Sequence, residues 1–427
     1  MGGFADVMFR GLTLICASLV LGGVAWLGLV LRIEPGMKPD ASARRALRVV
    51  AIAAALGGIA QAVAVVIAVG TLLASDAGLA VSRLFGTTYA RVALARIAFA
   101  AITCALAARL AIRPVGRAPW TALLLASVAF VGTSSLLSHA VARLEHRGLL
   151  LSLDAAHQLA AAVWVGGLGH LTFHAARGTP GDGPPVATVV QRFSTLALGA
   201  MTALVIAGSS LAVVYLGDPR ALVGTAYGVM ILTKILVLAG ALGFAVANVR
   251  MVRSASATPG IRLFRFVEVE WGLGLTLLFA AASLTSLPPA ADVGDARAAV
   301  SEVVARLSPV MPRLTSPPID ELVRSADPLM AATGGRMPIE RAWSEYNHHW
   351  AGLFVVLLGV GAALERLGVR AATHWPLGFF GLAAFLFVRN DPRAWPLGPA
   401  GFWESFTLPD VLQHRGFVVL VIAFGIF

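Results

Sequence analysis

The stretch LVGTAYGVMILTKILVLAGALGFAVAN, residues 222–248, decides how the chain is read. It holds a single charged side chain, Lys234, and it is longer than the roughly 20 apolar residues a helix needs to cross a bilayer. An isolated strand cannot satisfy its backbone in hydrocarbon, so the stretch must be helical. Comparable runs recur at 11–32, 46–73, 90–111, 119–139, 150–173, 193–216, 225–249, 266–287, 348–364 and 374–388. A last run starting near 415 is too short to cross on its own, and its length suggests a chain cut short. The expected fold is all-α: a polytopic transmembrane helix bundle of about eleven spans.

Composition agrees. The 427 residues are 58% hydrophobic and 13% charged, against about 25% charged in a soluble domain. The net charge of +11 would suggest nucleic acid in a soluble protein. In a membrane bundle it is better read as basic short loops that set orientation, so no nucleic-acid partner is expected. The two cysteines, Cys16 and Cys104, lie in apolar runs and cannot form a disulfide framework.

Arg32, Lys38, Arg44, Arg45 and Arg48 share one short loop. Arg109, Arg113 and Arg117 share a second, and Arg250, Arg253, Arg262 and Arg265 a third. These alternate loops should be cytoplasmic, which puts the N-terminus and segment 288–347 on the outer side. That segment is rich in Pro and mixed charge, with room for short helices such as 295–307. Its Met311, Met330 and Met337 read as ordinary loop residues.

The opening stretch also has a twin. Leu222-Val-Gly224-Thr225-Ala-Tyr227, with Leu232, Lys234 and Ile235, matches Leu84-Phe-Gly86-Thr87-Thr-Tyr89, with Leu94, Arg96 and Ile97, at an offset of 138. The same offset maps Trp26-Leu-Gly28 onto Trp164-Val-Gly166 and Gly70 onto Gly208. Each copy holds four spans, an even number, so the repeats run parallel. Transporters built from repeats often carry their site where the repeats meet. The expected organisation is a first four-helix repeat (1–141), a second (142–287), a periplasmic segment (288–347) and a C-terminal membrane extension (348–427).

The copies differ in histidine. His139 closes the fourth span, and His157 lies about two turns into the fifth from the same side. Asp154, at i−3 from His157, shares its helix face and could orient or assist a ligating imidazole. His170 and His174 share a face near the other end of that helix. Lys234 sits deep in the seventh span, where a cation needs a partner or a water-filled cavity. Glu268 and Glu270 open the eighth span as candidates for a proton or ion pathway, or for pairing with Arg250 or Arg265. Further imidazoles, His348, His349 and His414, stand at the outer ends of the C-terminal spans among Trp residues that suit an interfacial belt.

Leu137-Ser-His139-Ala and Asp154-Ala-Ala-His157-Gln, running to Trp164-Val-Gly166-Gly167, resemble the copper resistance protein D (CopD) family. So do Arg192-Phe193-Ser194, Gly224-Thr225-Ala-Tyr227-Gly228, Lys234 and Asn248. The resemblance covers roughly residues 120–290, and the C-terminal clusters resemble an extension of longer members. It implies a multi-pass protein of the bacterial inner membrane, without enzymatic activity, that moves copper from periplasm to cytoplasm. It further implies a copper role for His139 and His157 and a small periplasmic copper-binding (CopC-like) partner. Imidazole suits both Cu(I) and Cu(II). With Asp154, His348, His349 and His414 the outer face would then handle the metal. Two other readings stand beside it: a membrane haem protein for electron transfer, with histidines on facing helices, and an assembly factor delivering copper to a respiratory enzyme.

Overall fold

The computed structural model describes residues 2–75, 86–113, 116–176, 185–254, 261–294, 297–325, 338–389 and 391–426. Leu84 and Phe85 of the repeat motif, and Met330 and Met337, lie outside them. The regular structure of the described residues is helical, and their only β pairing is an isolated bridge between Ala394 and Ala400. Ten helical segments are long and apolar enough to cross a membrane; an eleventh, Val411–Ile426, is shorter. The chain divides into two compact units, Gly2–Arg306 and Leu307–Phe427. The division falls inside the segment read as 288–347.

The first unit holds eight long helices. α1 spans Gly2–Ala25 and continues as a π-turn, Trp26–Val30. α2 is Ala41–Ser75, α3 Thr88–Ile112, and α4 Arg117–Gly132. Two 3-10 turns, Thr133–Leu137 and His139–Ala142, lead into α5, Arg147–Ala176. α6 is Val186–Leu216, α7 Ala226–Ser254 and α8 Ile261–Leu284. The repeated Gly-Thr-x-Tyr motif has a local cause. The Thr87 hydroxyl accepts from Ala90 N (3.2 Å), and the Thr225 hydroxyl accepts from Gly228 N (3.0 Å). Each threonine caps the start of the third helix of its repeat, satisfying an amide that has no partner within the helix.

The two repeats meet where their first helices, α1 and α5, cross. A Cβ added to Gly22 would land on the backbone of Gly166, and one on Gly166 would land on the carbonyl of Ser18. Small residues at such a crossing let helix backbones approach closely, a common device where lipid supplies no hydrophobic drive. His170 fastens the same seam: its Nε2 bonds the Leu19 carbonyl (3.0 Å), and its ring stacks on Trp26 at 6.4 Å. Around the crossing, Trp26, Leu47, Phe130, Trp164, Leu168 and Val189 form one continuous buried core.

The repeats are unlike on their far sides. In the first, α3 packs along α2. In the second, the equivalent helices α6 and α7 barely touch. The segment following α8 covers one end of this second repeat. Arg143 pairs with Asp292 (2.8 Å), Arg297 pairs with Asp218 (3.2 Å), and Ala298 N bonds the Gly224 carbonyl (2.9 Å).

In the second unit, short helices Val300–Leu307 (its end) and Ile319–Ser325 precede α9, Pro338–Arg366. A 3-10 segment, Arg370–Leu377, leads into α10, Gly378–Arg389, and α11 is Pro409–Ile426. Arg415 anchors this unit: its guanidinium bonds the Trp395 carbonyl (2.7 Å) and lies over the Phe387 ring at 3.8 Å.

Replacing Gly166 by Ala should destabilise the purified protein by about 1–3 kcal/mol, the usual cost of overpacking. Gly28, its repeat counterpart, meets nothing within 4 Å. Gly28→Ala should therefore leave the melting temperature in detergent unchanged. Equal melting of both variants would contradict the assigned crossing.

Candidate functional site

The gap between α6 and α7 belongs to a cavity of about 550 Å³ inside the second repeat, walled by α5, α6, α7 and α8. Most of its wall is aliphatic. His139, Asp154, His157, Tyr215, Tyr227 and Lys234 supply the polar groups. Three residues picked from sequence as metal ligands thus face one space, together with the deep cation.

Each polar group is held in a different way. His157 Nδ1 bonds the Leu204 carbonyl at 3.0 Å. A carbonyl only accepts, so Nδ1 carries the proton and neutral His157 keeps its lone pair on Nε2. Its ring also presses on Gly208, where an added Cβ would stand 2.8 Å from Cε1. The equivalent Gly70 has open space around it, so the close approach is a property of the second repeat. The Leu284 carbonyl favours a proton on the His139 ring, and its Nε2 is buried with no hydrogen-bond partner. It packs edge-on to Tyr215 (6.2 Å) and Tyr227 (6.3 Å). His157 therefore has one nitrogen oriented by a carbonyl and one spare, the arrangement that fixes the tautomer of metal-ligating histidines, and His139 adds its unpartnered Nε2. Asp154 accepts from Gln158 Nε2 at 2.7 Å.

The ligands are not gathered into a closed shell. Among the described residues no three His, Cys, Asp or Glu side chains come close enough to hold a metal ion. His139 leans toward the tyrosines and Asp154 toward Gln158. The site is an open cavity with spare donors, not a tight coordination sphere.

Lys234 differs from its twin. Arg96 is 3% exposed and satisfied: its Nε donates to Gln61 Oε1 (2.9 Å), it bonds Ser134, and it lies 5.4 Å from the Phe130 ring centroid. The repeat offset puts Gly199 in the place of Gln61. Without that amide Lys234 lines the cavity, and no ion pair joins it to any described residue.

The two glutamates separate. α8 begins at Ile261, five residues before the sequence reading placed its span, so Glu270 lies well inside the helix. It is buried, accepting from Asn248 Nδ2 (3.2 Å) and the Trp164 indole. These partners replace the arginines suggested by sequence. Trp164 also lines the cavity, so one side chain stands between that space and the buried carboxyl. Glu268 is exposed on another face of α8, away from this arrangement, and the pathway role read from sequence does not extend to it.

His170 and His174 do not join the cavity. They face α1 and pack around Trp26, with His170 serving the repeat seam. In the second unit His348 is exposed and bonds the Ser344 carbonyl (2.7 Å), whereas His349 Nδ1 accepts from Arg313 N (2.8 Å). His414 has a buried Nδ1 with no partner. Two of the three are engaged separately and the third is unpartnered, and among the described residues none joins a group of three or more His, Cys, Asp or Glu side chains that could hold a metal. What sequence reasoning missed was Tyr215, Gly208 and Trp164 as cavity-shaping residues. The histidine asymmetry between repeats was the available signal for the first two.

His139 lies outside the spans, and burial pushes its imidazole below the ordinary value, with the Leu284 carbonyl opposing. The unfolded chain therefore takes up this proton first. Stability should fall as pH drops below about 6.5, the free imidazole value. Melting curves taken down that range should show a smaller loss for His139→Gln than for the unaltered protein. An identical loss would remove His139 from the acid response.

No curated protein and no solved structure matches the chain. A family model does: residues 187–284, which hold all of α7 and α8 and all but the first residue of α6, and so three walls of the cavity, match copper resistance protein D. That match supports assigning this multi-pass membrane chain to the CopD family.

Proposed function

We propose that the chain moves copper ions across the bacterial inner membrane, from periplasm to cytoplasm, through its second repeat. The observation that carries this reading is the convergence of His139, Asp154 and His157 on one cavity, three of whose walls lie in the stretch that matches the family model. Copper is the cargo. It enters at the His139 end, where two spare imidazole nitrogens and a carboxylate offer donors suited to Cu(I) or Cu(II). A conducting site must bind tightly enough to admit an ion and loosely enough to release it. Spare donors spread along a cavity meet that need better than a closed shell.

The basic loops between α1 and α2, α3 and α4, and α7 and α8 support a cytoplasmic location for the opposite end. The His139 end then faces the periplasm, where a CopC-like protein would hand over the ion. Beyond Trp164, the buried Glu270 is the group we assign to proton exchange during passage. No covalent chemistry is invoked, and the reading is of a transporter, not an enzyme.

Cellular copper measured after His157→Ala, with the protein still in the membrane, tests the reading. Accumulation and copper sensitivity should fall to those of cells lacking the protein; unchanged values would sink it. Gly208→Val, which pushes the His157 ring off the Leu204 carbonyl, should weaken copper binding to purified protein by about tenfold or more, the usual cost of disturbing a ligand's orienting partner.

A further inference from the structure

The cavity is larger and more apolar than an ion alone requires. At about 550 Å³ it falls in the range of pockets that bury whole organic molecules, about 300–1,000 Å³. Its rim is also informative. Val205, Ile235 and Leu242 line the cavity and are 42%, 51% and 37% exposed. They lie in the middle of α6 and α7, many residues from either helix end, so the mouth between these helices opens at the depth of the hydrocarbon. An occupant that enters there comes from the bilayer.

Its head group is specified by charge. Lys234 lies eight residues into α7, about 12 Å from the helix start at 1.5 Å per residue. A cation at that depth is costly unless something neutralises it. The first repeat shows how protein can satisfy such a cation through neutral acceptors: Gln61 and Ser134 bond Arg96, and α2 packs against α3 over it. In the second repeat Gly199 takes the glutamine's place, the helices part, and the cation faces empty space. Asp154 is the carboxylate that acts on it across the cavity, but it forms no direct ion pair with Lys234 and accepts from Gln158 instead.

The geometry points to a lipid site: the cavity between α6 and α7 binds a membrane amphiphile whose acidic head, a carboxylate or phosphate, neutralises Lys234 while its alkyl chain leaves through the mouth at Val205 and Ile235. The aliphatic residues of the wall, such as Leu238 and Leu277, cover the first part of the chain. The spare imidazole nitrogens remain free beside the head group. The proposal goes beyond copper transport and does not depend on it.

The test uses full-length protein purified in an uncharged maltoside detergent, with cis-parinaric acid as a fluorescent fatty-acid probe and its methyl ester as the neutral control. The acid should bind saturably, and the ester about tenfold or more weakly, because only the acid meets the buried charge. Lys234→Met should lower affinity for the acid by a similar factor, and Lys234→Arg should keep it. Ala239→Trp, which fills the cavity without removing charge, should also weaken the acid. Native mass spectrometry of the unaltered protein then separates the sources: a fatty-acid adduct or a phosphatidylglycerol adduct, either one lost in Lys234→Met. Equal binding of acid and ester, or wild-type affinity in a folded Lys234→Met protein, would overturn the proposal. His157→Ala should retain the probe, so failure of the copper reading and failure of this one are read separately.

Discussion

Everything in the first unit hangs on the crossing of α1 and α5. Gly22 and Gly166 bring two helix backbones so close that neither position has room for a methyl group. In lipid there is no hydrophobic force to press helices together, so contact area between backbones and the few polar ties across the seam must hold the halves. His170 on the Leu19 carbonyl is one such tie. It explains why a histidine sits deep in an apolar helix without any part in a metal site.

A duplicated bundle fixed at its centre can differ at its edges. The first repeat uses its edge for packing: α2 and α3 close over Arg96, and the guanidinium's donors are met by protein. The second repeat leaves that edge open. Glycine replaces the partner amide at position 199, the cation shortens to Lys234, and a cavity appears where its twin has packed side chains. His157, which has no counterpart in the first repeat, faces the same space, as does His139 from the link between the repeats. Loss of packing and gain of polar groups coincide, as expected where stability is given up for a binding site.

The polar groups inside the second repeat are arranged in series. His139 and the tyrosines stand at one end, His157, Asp154 and Lys234 follow, and Trp164 separates them from Glu270 and Asn248. Those that lie within the spans sit where hydrocarbon would penalise them without partners or a wet cavity. They gather around one cavity of the second repeat, and Tyr215, Tyr227, Lys234, Asn248 and Glu270 among them fall in the stretch matched by the family model.

Several features were legible in the chain itself. Runs of apolar residues required helices, because a backbone in lipid can satisfy itself only within a helix or a closed barrel. The shared offset between Gly-Thr-x-Tyr motifs exposed the duplication, since the same helix start calls for the same threonine cap. Histidine content singled out the second copy. What linear order could not carry was which faces meet. His157 and His174 are both helical histidines on α5, yet one lines a cavity and the other packs against Trp26. Glu268 and Glu270 are two residues apart, and a rotation of about 200° around the helix leaves one exposed and one buried. Whether Lys234 is satisfied as Arg96 is depends on how far α6 stands from α7, a distance that neither helix's sequence states. Local residue chemistry determined the elements; only the tertiary structure decided their facing, because burial and distance belong to pairs of helices and not to any one of them.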